Sequence, residues 1–305
     1  MALLAVEDMA ISFRMYGDGL RRGELRVIDG LTLAVEPGQI VAVLGASGSG
    51  KSLLAHGVMG LLPANAGLTG RMLFRGEPLT PERQERLRGR EIALIPQTVA
   101  SLDPLMRVGA QVRGRAGNRA LAKQREIFAR YGLGREVERL YPHQLSGGMA
   151  RRVLVAAAAA SEARLILADE PTPGLDPGLT RETVEMFREL AAEGRGLLVI
   201  THDIDFALAV ADAVAVLYAG RTVELAPAGD FAGEGAALRH PYTRALYRAL
   251  PRNGFRPLPG AQPYAGTLPP GCPFAPRCPL RGAGCGETVP LRELRHGKVR
   301  CVYAT

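Results

Sequence analysis

Eight consecutive residues, GASGSGKS from Gly45 to Ser52, leave few folds open to this chain. An apolar run, Gln39 to Leu44, stands directly before them, and a helical pattern from Leu53 to Leu62 follows. A buried strand, a glycine-rich loop and a helix in this order are typical of α/β folds that bind nucleotide phosphates. The sequence therefore predicts an α/β fold, in which the eight residues form a phosphate loop.

The residue types of the phosphate loop predict how it would bind ATP. Its glycines let successive backbone N–H groups point at phosphate oxygens, and the start of the following helix adds positive potential. Lys51 would reach the β- and γ-phosphates, and Ser52 would supply its hydroxyl to Mg²⁺. The alternative is a glycine-rich turn without a ligand, but the chain has only three lysines, so a chance match is rare. The predicted nucleotide-binding residues are Gly45, Ala46, Ser47, Gly48, Ser49, Gly50, Lys51 and Ser52.

Two adjacent acids, Asp169 and Glu170, follow the apolar run Leu165 to Ala168. Because adjacent strand residues point to opposite sides, the two carboxylates can have different tasks. Asp169 would hold Mg²⁺ through its water shell, and Glu170 would polarise the water that attacks the γ-phosphate. The alternative is a solvated turn or a helix cap. His202 follows another apolar run, Gly196 to Ile200, and its neutral imidazole could contact the γ-phosphate and the attacking water.

The remaining periodicity predicts a mostly parallel core sheet around these motifs. Leu3 to Phe13 and Arg26 to Val35 alternate as strands do. Helical segments, Val153 to Ala160 and Thr180 to Glu193, flank the downstream apolar runs, as expected when helices connect parallel strands. A charged stretch with helical periodicity predicts a helical insertion over about 98–145.

Charge and hydropathy narrow the class of protein. The net charge is +8, but the last 55 residues hold eight basic and two acidic residues, which leaves +2 for the first 250. A basic excess confined to the tail does not favour nucleic acid as a partner. The longest uncharged apolar run, Val153 to Ala160, is far shorter than the roughly 20 residues that span a bilayer. The N-terminus does not read as a secretory signal, so a cytoplasmic location is expected.

The segment LSGGM, from Leu145 to Met149, is similar to the signature sequence of ABC ATPases. Gln97, Asp176 and His202 stand where that family has its Q-loop, D-loop and switch histidine, and in the same order. The resemblance implies a P-loop ABC ATPase domain with a mostly parallel core sheet, an antiparallel β subdomain and a helical insertion. It also implies a pair of ATPase subunits that hold two ATP molecules between them, head to tail.

The same resemblance implies further site residues. Ser146, Gly147 and Gly148 at a helix start would grip the γ-phosphate of an ATP held by the other subunit, and Asp176 would adjoin the nucleotide. Tyr16 or Phe13 would stack on adenine. Gln97 would contact Mg²⁺ and couple the site to membrane helices. The residues implied to act in hydrolysis are Glu170, His202, Gln97 and Lys51.

The chain departs from the commonest family pattern at two places. Met149 replaces the usual glutamine of the signature, and Pro173 and Gly174 stand where serine and alanine are common. These changes put the polar contact across the partner interface in doubt. Neither removes a group implied to act in hydrolysis.

All four cysteines lie in the proline- and glycine-rich tail, where no helix or strand period persists beyond Pro251. In a reducing compartment they favour metal ligation over disulfides. His240 to Leu246 and Gly271 to Pro279 resemble the C-terminal extension of dipeptide, oligopeptide and nickel importer ATPases, in which four matching cysteines are associated with a 4Fe-4S cluster. Zinc is the rival metal, and free, unligated cysteines are the remaining alternative. The predicted metal ligands are Cys272, Cys278, Cys285 and Cys301.

The sequence thus predicts an ATPase domain over 1–238 and a cysteine-containing extension over 239–305. The resemblance implies the ATP-hydrolysing subunit of an importer for peptides, nickel or metal–chelator complexes. Its partners would be two transmembrane permeases, a second ATPase subunit, homologous or identical, and an extracytoplasmic substrate-binding protein. The chain would lie peripherally on the cytoplasmic face of the inner membrane. The alternatives are an exporter ATPase and a non-transport ABC protein.

Overall fold

The computed structural model describes residues 1–16, 22–114, 119–172 and 176–305 of the chain. Within these ranges the strands are β1 (Leu4–Tyr16), β2 (Arg22–Val35), β3 (Ile40–Gly45), β4 (Ala66–Phe74), β5 (Glu77–Pro78), β6 (Ile92–Ile95), β7 (Leu165–Asp169), β8 (Gly196–Thr201), β9 (Ala213–Tyr218), β10 (Arg221–Pro227), β11 (Arg292–Leu294) and β12 (Gly297–Val299). The α-helices are α1 (Lys51–Met59), α2 (Pro81–Leu87), α3 (Val108–Arg113), α4 (Arg119–Arg130), α5 (Gly147–Ala160), α6 (Pro177–Ala192), α7 (Ile204–Val210) and α8 (Pro241–Arg248).

The larger sheet carries the phosphate loop near its middle. Its strand order is β6-β7-β8-β3-β9-β10-β12-β11, and the first five strands are parallel. Every residue of β3, β7 and β8 is buried, which explains why these strands read as continuous apolar runs. Because parallel strands end at the same edge, the phosphate loop after β3 and the acidic pair at the end of β7 lie together. The predicted mostly parallel core sheet is confirmed.

A second, antiparallel sheet has the order β2-β1-β4-β5. Its inner face packs on the core sheet and on α1 through fully buried side chains, among them Met9, Ile11 and Ile28, which share one core with Val43 and Leu54. Burying an aliphatic side chain of this size contributes about 1.5–3 kcal/mol. This sheet is the antiparallel β subdomain that the family resemblance implies.

The predicted helical insertion consists of short helices around α5. Helices α3 and α4 are followed by two 3₁₀ turns, Arg135–Arg139 and Pro142–Gln144. Val108, Phe128 and Val137 from these elements are buried against α5. The insertion therefore shares a core with the helix that carries the signature.

The irregular tail predicted from the sequence is wrong at its end. Strands β11 and β12 form a hairpin, and β12 pairs antiparallel with β10 through Glu224 opposite Val299 and Leu225 opposite Lys298. Strands of three residues are too short to show the alternation on which strand prediction depends. The hairpin continues the core sheet of the ATPase domain.

A buried ion cluster crosses the proposed boundary between the two domains. The side chains of Arg239 and Glu224 are 1% and 0% exposed, and the guanidinium lies 3.3 Å from Glu224 and 2.8 Å from Asp230. The backbone N–H groups of Arg239 and His240 each donate to the Glu224 carboxylate at 2.8 Å. The guanidinium also donates to the carbonyl of Leu294 in the hairpin, at 2.6 Å. The division of the chain into 1–238 and 239–305 remains a proposal.

Candidate nucleotide site

The phosphate loop turns between β3 and α1 at glycines that its geometry requires. Gly48 and Gly50 have φ angles of +78° and +87°, a left-handed conformation that costs other residues about 1–2 kcal/mol. Gly45 has no such angle, but a Cβ atom there would lie 2.8 Å from the carbonyl oxygen of Leu217. The three glycines thus permit a turn with backbone N–H groups along its inner side.

The ammonium group of Lys51 lies inside this loop. It donates to the carbonyl oxygens of Gly45 at 2.8 Å and Ala46 at 3.1 Å. Burial lowers the pKa of Lys51, while the carboxylates of Glu170 and Asp169 raise it. The two acids therefore favour the charged lysine, which is the form that binds phosphate oxygens.

Ser52 and Asp169 meet beside the loop. The Ser52 hydroxyl donates to Oδ1 of Asp169 at 3.0 Å. Burial raises the pKa of Asp169, the hydrogen bond from Ser52 lowers it, and the charge of Glu170 raises it again. A hydroxyl and a carboxylate oxygen are the hard ligands that Mg²⁺ prefers. The pair fits a Mg²⁺ ion bound next to the phosphates.

Glu170 and His202 form the second polar pair of the site. Glu170 has a φ of +45°, and its backbone N–H donates to the carbonyl of Ile200 at 2.8 Å. Nδ1 of His202 lies 3.0 and 2.9 Å from the two carboxylate oxygens. A neutral ring that donates from Nδ1 leaves Nε2 as an acceptor. The left-handed backbone conformation is strained for a residue other than glycine, and such strain is typical of functional sites. The carboxylate of the buried Glu170 can act as a base on a water molecule.

Gln97 follows β6 at the same edge of the core sheet, and its side chain is exposed. Its backbone carbonyl accepts a hydrogen bond from Nη1 of Arg151 at 3.2 Å. The Arg151 side chain is buried, and burial lowers its pKa. Sequence reasoning missed Arg151, whose only signal was its place two residues after Met149 in the signature helix. Arg151 ties that helix to the Gln97 segment.

The signature residues begin helix α5. The Ser146 hydroxyl caps the helix by accepting from the backbone N–H of Met149 at 3.2 Å. Gly147 and Gly148 are its first two residues, and a Cβ on Gly148 would lie 2.9 Å from Leu179 of α6. Met149 packs, partly buried, against the core, which gives a physical reason for an apolar residue in place of glutamine. The helix start presents backbone N–H groups that can bind a phosphate.

The D-loop aspartate has a local structural role. Oδ1 of Asp176 accepts from the backbone N–H groups of Gly178 at 2.8 Å and Leu179 at 3.1 Å, so Asp176 caps α6. Pro173 and Gly174, the two unusual D-loop residues, lie outside the described residues. The nucleotide contact assigned to Asp176 stays a prediction.

The two adenine candidates differ in what the structure describes. Phe13 is partly buried and packs against the core of the antiparallel sheet. Tyr16 is the last residue of β1, and its side chain lies outside the described part of the chain. A structural role in the core is enough to explain the packing of Phe13. The stacking of Tyr16 or Phe13 on adenine therefore stays a prediction.

The four tail cysteines lie near one another. The backbone N–H of Cys272 donates to the carbonyl of Cys285 at 2.9 Å. Burial raises the pKa values of the Cys272, Cys278 and Cys301 thiols, nearby backbone N–H groups lower them, and neighbouring cysteines raise them. Within the described ranges, however, no three histidine, cysteine or acidic side chains form a group that could hold a metal ion. Metal binding by the four cysteines therefore stays a prediction.

Comparison with known proteins assigns the chain to a family. A sequence profile described as ABC transporter matches residues 28–173, and one described as Oligopeptide/dipeptide transporter, C-terminal region, matches 223–285. The oligopeptide transport ATP-binding protein OppD of Escherichia coli (strain K12) is 33% identical over 321 residues, covering 99% of this chain and 93% of that protein. The chain belongs to the ABC transporter family of ATPases.

Two further relatives of this ABC ATPase carry similar descriptions. The dipeptide transport ATP-binding protein DppD of Bacillus subtilis (strain 168) is 34% identical, over 96% of this chain and 91% of that protein. OppD of Mycobacterium tuberculosis (strain ATCC 25618 / H37Rv) is 37% identical over 91% of this chain. The chain spans 48% of the length of that mycobacterial protein.

Solved ABC cassettes share the fold. The ATP-binding cassette MJ0796, in a dimeric post-hydrolysis state bound to ADP and Pi, has a TM-score of 0.64 at 23% identity, over 74% of this chain and 98% of that one. The structure of cbiO1 from Clostridium perfringens has a TM-score of 0.62 at 26% identity, over 75% and 90%. The predicted ABC ATPase fold is confirmed.

The predicted relation of this ABC ATPase to peptide importers is also confirmed, because the tail profile and these relatives are described by oligopeptide or dipeptide transport. None of these descriptions mentions nickel. No helix among the described residues is long and apolar enough to cross a membrane.

Proposed function

We propose that the chain is the ATP-binding and ATP-hydrolysing subunit of an ABC importer that takes up peptides. The observation that carries this proposal is the similarity to oligopeptide and dipeptide transport ATP-binding proteins over nearly the whole chain. That similarity includes the tail, whose profile is described by oligopeptide and dipeptide transport, and this favours the proposal over an exporter ATPase or a non-transport ABC protein. Nickel or a metal–chelator complex as cargo has no comparable support.

The residues at the edge of the core sheet would each have a separate task in ATP hydrolysis. The N–H groups of the phosphate loop and the ammonium of Lys51 would hold the phosphates in place. Ser52, Asp169 and Gln97 would hold Mg²⁺, which neutralises phosphate charge when bound. Glu170 would accept a proton from the attacking water, and His202 would orient Glu170 and contact the γ-phosphate.

The second half of the site would come from another ATPase subunit. The start of α5, with Ser146, Gly147 and Gly148, would bind the γ-phosphate of an ATP held by the partner, because unpaired helix N–H groups attract anions. Asp176 would stand beside this interface. The partner is either a second copy or a homologous ATPase.

Exposed apolar side chains near Gln97 support a membrane partner. Leu105 is 88% exposed, and Val99 and Met106 are also exposed although they are large and apolar. They lie between Gln97 and α3 in sequence, where the resemblance places the coupling to membrane helices. We propose that two permease subunits dock here, that a substrate-binding protein delivers the peptide outside, and that the chain lies on the cytoplasmic face of the inner membrane.

We further propose that the four cysteines bind a 4Fe-4S cluster, with Zn²⁺ as the alternative. Burial raises the pKa values of the Cys272, Cys278 and Cys301 thiols, and the backbone N–H groups of Phe274, Leu280 and Tyr303 act in the opposite direction, towards the thiolates that bind metals. Anaerobic purification followed by iron, sulfide and zinc analysis tests this. Four irons per chain would support the cluster, and the absence of both metals would contradict any metal centre.

Reconstitution with the permeases in proteoliposomes tests the proposed function. We expect peptide-loaded binding protein to stimulate ATP hydrolysis. We also expect peptide to accumulate on the side of the membrane opposite to the binding protein. Glu170→Gln should lower kcat at least about 100-fold while ATP still binds, because only the base is lost. Glu185→Gln, a change at an exposed position of α6, is the matched control and should leave hydrolysis unchanged. Basal hydrolysis without peptide stimulation or uptake would contradict the proposal.

A further inference from the structure

Arg151 is a buried cation between the signature helix and the segment that begins at Gln97. It is 7% exposed, and Nη1 of its guanidinium lies 3.2 Å from the carbonyl oxygen of Gln97 and 3.5 Å from that of Pro96. A buried charge is costly unless it is hydrogen-bonded, and bonds from a charged donor are stronger than bonds between neutral groups. The guanidinium therefore holds the backbone at Pro96 and Gln97 against α5.

One end of this link lies at the signature. Helix α5 begins at Gly147, and Arg151 follows one turn later, so the two residues share one face of the helix. Long side chains of a helix point back towards its N-terminus. A displacement of the guanidinium therefore acts on the first turn of α5, whose N–H groups would bind the partner's γ-phosphate.

The other end of the link lies in residues 97–107, which we call the docking segment because its exposed apolar side chains are proposed to contact the permeases. Leu105, at 88%, is the most exposed of them. Leu102 of the same segment is 6% exposed and lies in one core with Val153 of α5. The docking segment is thus attached to the signature helix by a polar contact at Gln97 and by apolar packing at Leu102.

We propose that Arg151 is a positioning residue that transmits permease docking to the start of α5, so that the stimulation of ATP hydrolysis by the permeases depends on it. A permease helix that displaces the docking segment moves the carbonyl of Gln97, and the charged hydrogen bond carries this movement to α5. The inference rests on the proposed function, because it assumes that permeases dock on this segment.

Arg151→Met tests the positioning role. Methionine removes the donor and keeps an unbranched apolar side chain, and water can replace the donor at the exposed Gln97. The readout is the increase in ATP hydrolysis caused by peptide-loaded binding protein, divided by the basal rate, with the permeases in proteoliposomes. A general loss of activity cancels in this relative increase. We expect the relative increase to fall at least about fivefold, the worth of one hydrogen bond.

Arg195→Met is the matched control. The guanidinium of Arg195 also donates to backbone carbonyls of α5, but at the other end of the helix, to Ala158 at 3.2 Å and to Ala159 at 3.0 Å. This variant should leave the relative increase unchanged. Arg151→Lys keeps a charged donor on a shorter side chain, so it should retain part of the relative increase, and it tests the role even where the methionine variant does not fold.

A double-mutant cycle with Leu105→Ala tests the path. We expect Leu105→Ala to weaken the stimulation, and Arg151→Met to have a smaller effect in that background than in the wild type, because both changes act through one path. Full additivity would overturn the path from the docking segment to α5. A wild-type relative increase in Arg151→Met, or an equal loss in Arg195→Met, would overturn the positioning role and leave the proposed function intact. A wild-type chain that is not stimulated would contradict the proposed function, and the inference with it.

Discussion

His240 is a completely buried ring at the start of α8. Its Nδ1 accepts from the backbone N–H of Tyr242 at 3.0 Å, and burial lowers its pKa to about 3. The folded chain therefore keeps this ring neutral at a pH where the unfolded chain, with a pKa near 6.5, takes up a proton. Protonation favours the unfolded state, so stability falls as the pH falls below about 6.5.

The expected pH effect of His240 can be isolated with His240→Asn. Between pH 6.5 and pH 3, His240 should lower the free energy of unfolding by about 1.4 kcal/mol for each unit by which the pH falls. From pH 6.5 to pH 5, the wild-type free energy of unfolding should therefore drop by about 2 kcal/mol because of His240. Asparagine keeps a helix-capping acceptor for Tyr242 and does not titrate. Urea unfolding at both pH values should show a smaller drop in the variant. Equal drops would mean that other groups cause the effect.

Residues that belong to a local motif could be predicted from the sequence, and residues that act across the fold could not. Gly48, Lys51 and Ser52 are tied by spacing to one loop, so their pattern already carries their arrangement. Arg151 reaches the site through a contact between distant segments, its hydrogen bond to the backbone carbonyl of Gln97. Such contacts leave no period and no motif, because only the packing of helices on the sheet creates them.

At the scale of elements, strands buried on both faces were predictable and the tail hairpin was not. β3, β7 and β8 read as continuous apolar runs because both faces are covered. β11 and β12 have three residues each and alternate over too short a distance to be recognised. They are held by the buried side chain of Arg239, which donates to two hairpin carbonyls, of Leu294 and Arg295.

Arg239→Met should therefore detach the hairpin and leave the buried Glu224 without its counter-ion. Breaking a buried ion pair in this way costs about 3–5 kcal/mol. Arg252→Met is the matched control, because its pair with Asp205 is more than half exposed and should be worth less than about 1 kcal/mol. Urea unfolding measures both. A loss no larger than that of the control would show that Glu224 does not depend on Arg239.

At the scale of the whole molecule, the proposed sharing of ATP between two chains depends on the start of α5. Ser146→Asp keeps a capping oxygen for α5 but places a negative charge where the partner's γ-phosphate would bind. In the Glu170→Gln background with ATP, we expect chains carrying Ser146→Asp to remain monomeric in analytical ultracentrifugation. Ser146→Asn caps the helix without charge and is the control that should still pair. Pairing by the aspartate variant would contradict the head-to-tail site.

The sequence was sufficient for the ABC ATPase as a whole, but not for the way its parts are joined. The phosphate loop, Gln97, the acidic pair and His202 follow the parallel strands β3, β6, β7 and β8, so they lie at one edge of the core sheet. The tail was predicted as an appendage, whereas β12 pairs with β10 and Arg300 donates to Gly30 of the antiparallel sheet at 3.1 Å. Pairing partners so far apart in sequence have no local signal.

The hairpin also forms one edge of the core sheet. Its outermost strand, β11, offers only three residues, two of them the exposed charged side chains Arg292 and Glu293. A short, charged edge presents few free N–H and carbonyl groups, and desolvating its charges is unfavourable, so it is a poor template for a strand from another chain. The tail thereby protects the chain from aggregation at this edge, a benefit independent of nucleotide chemistry.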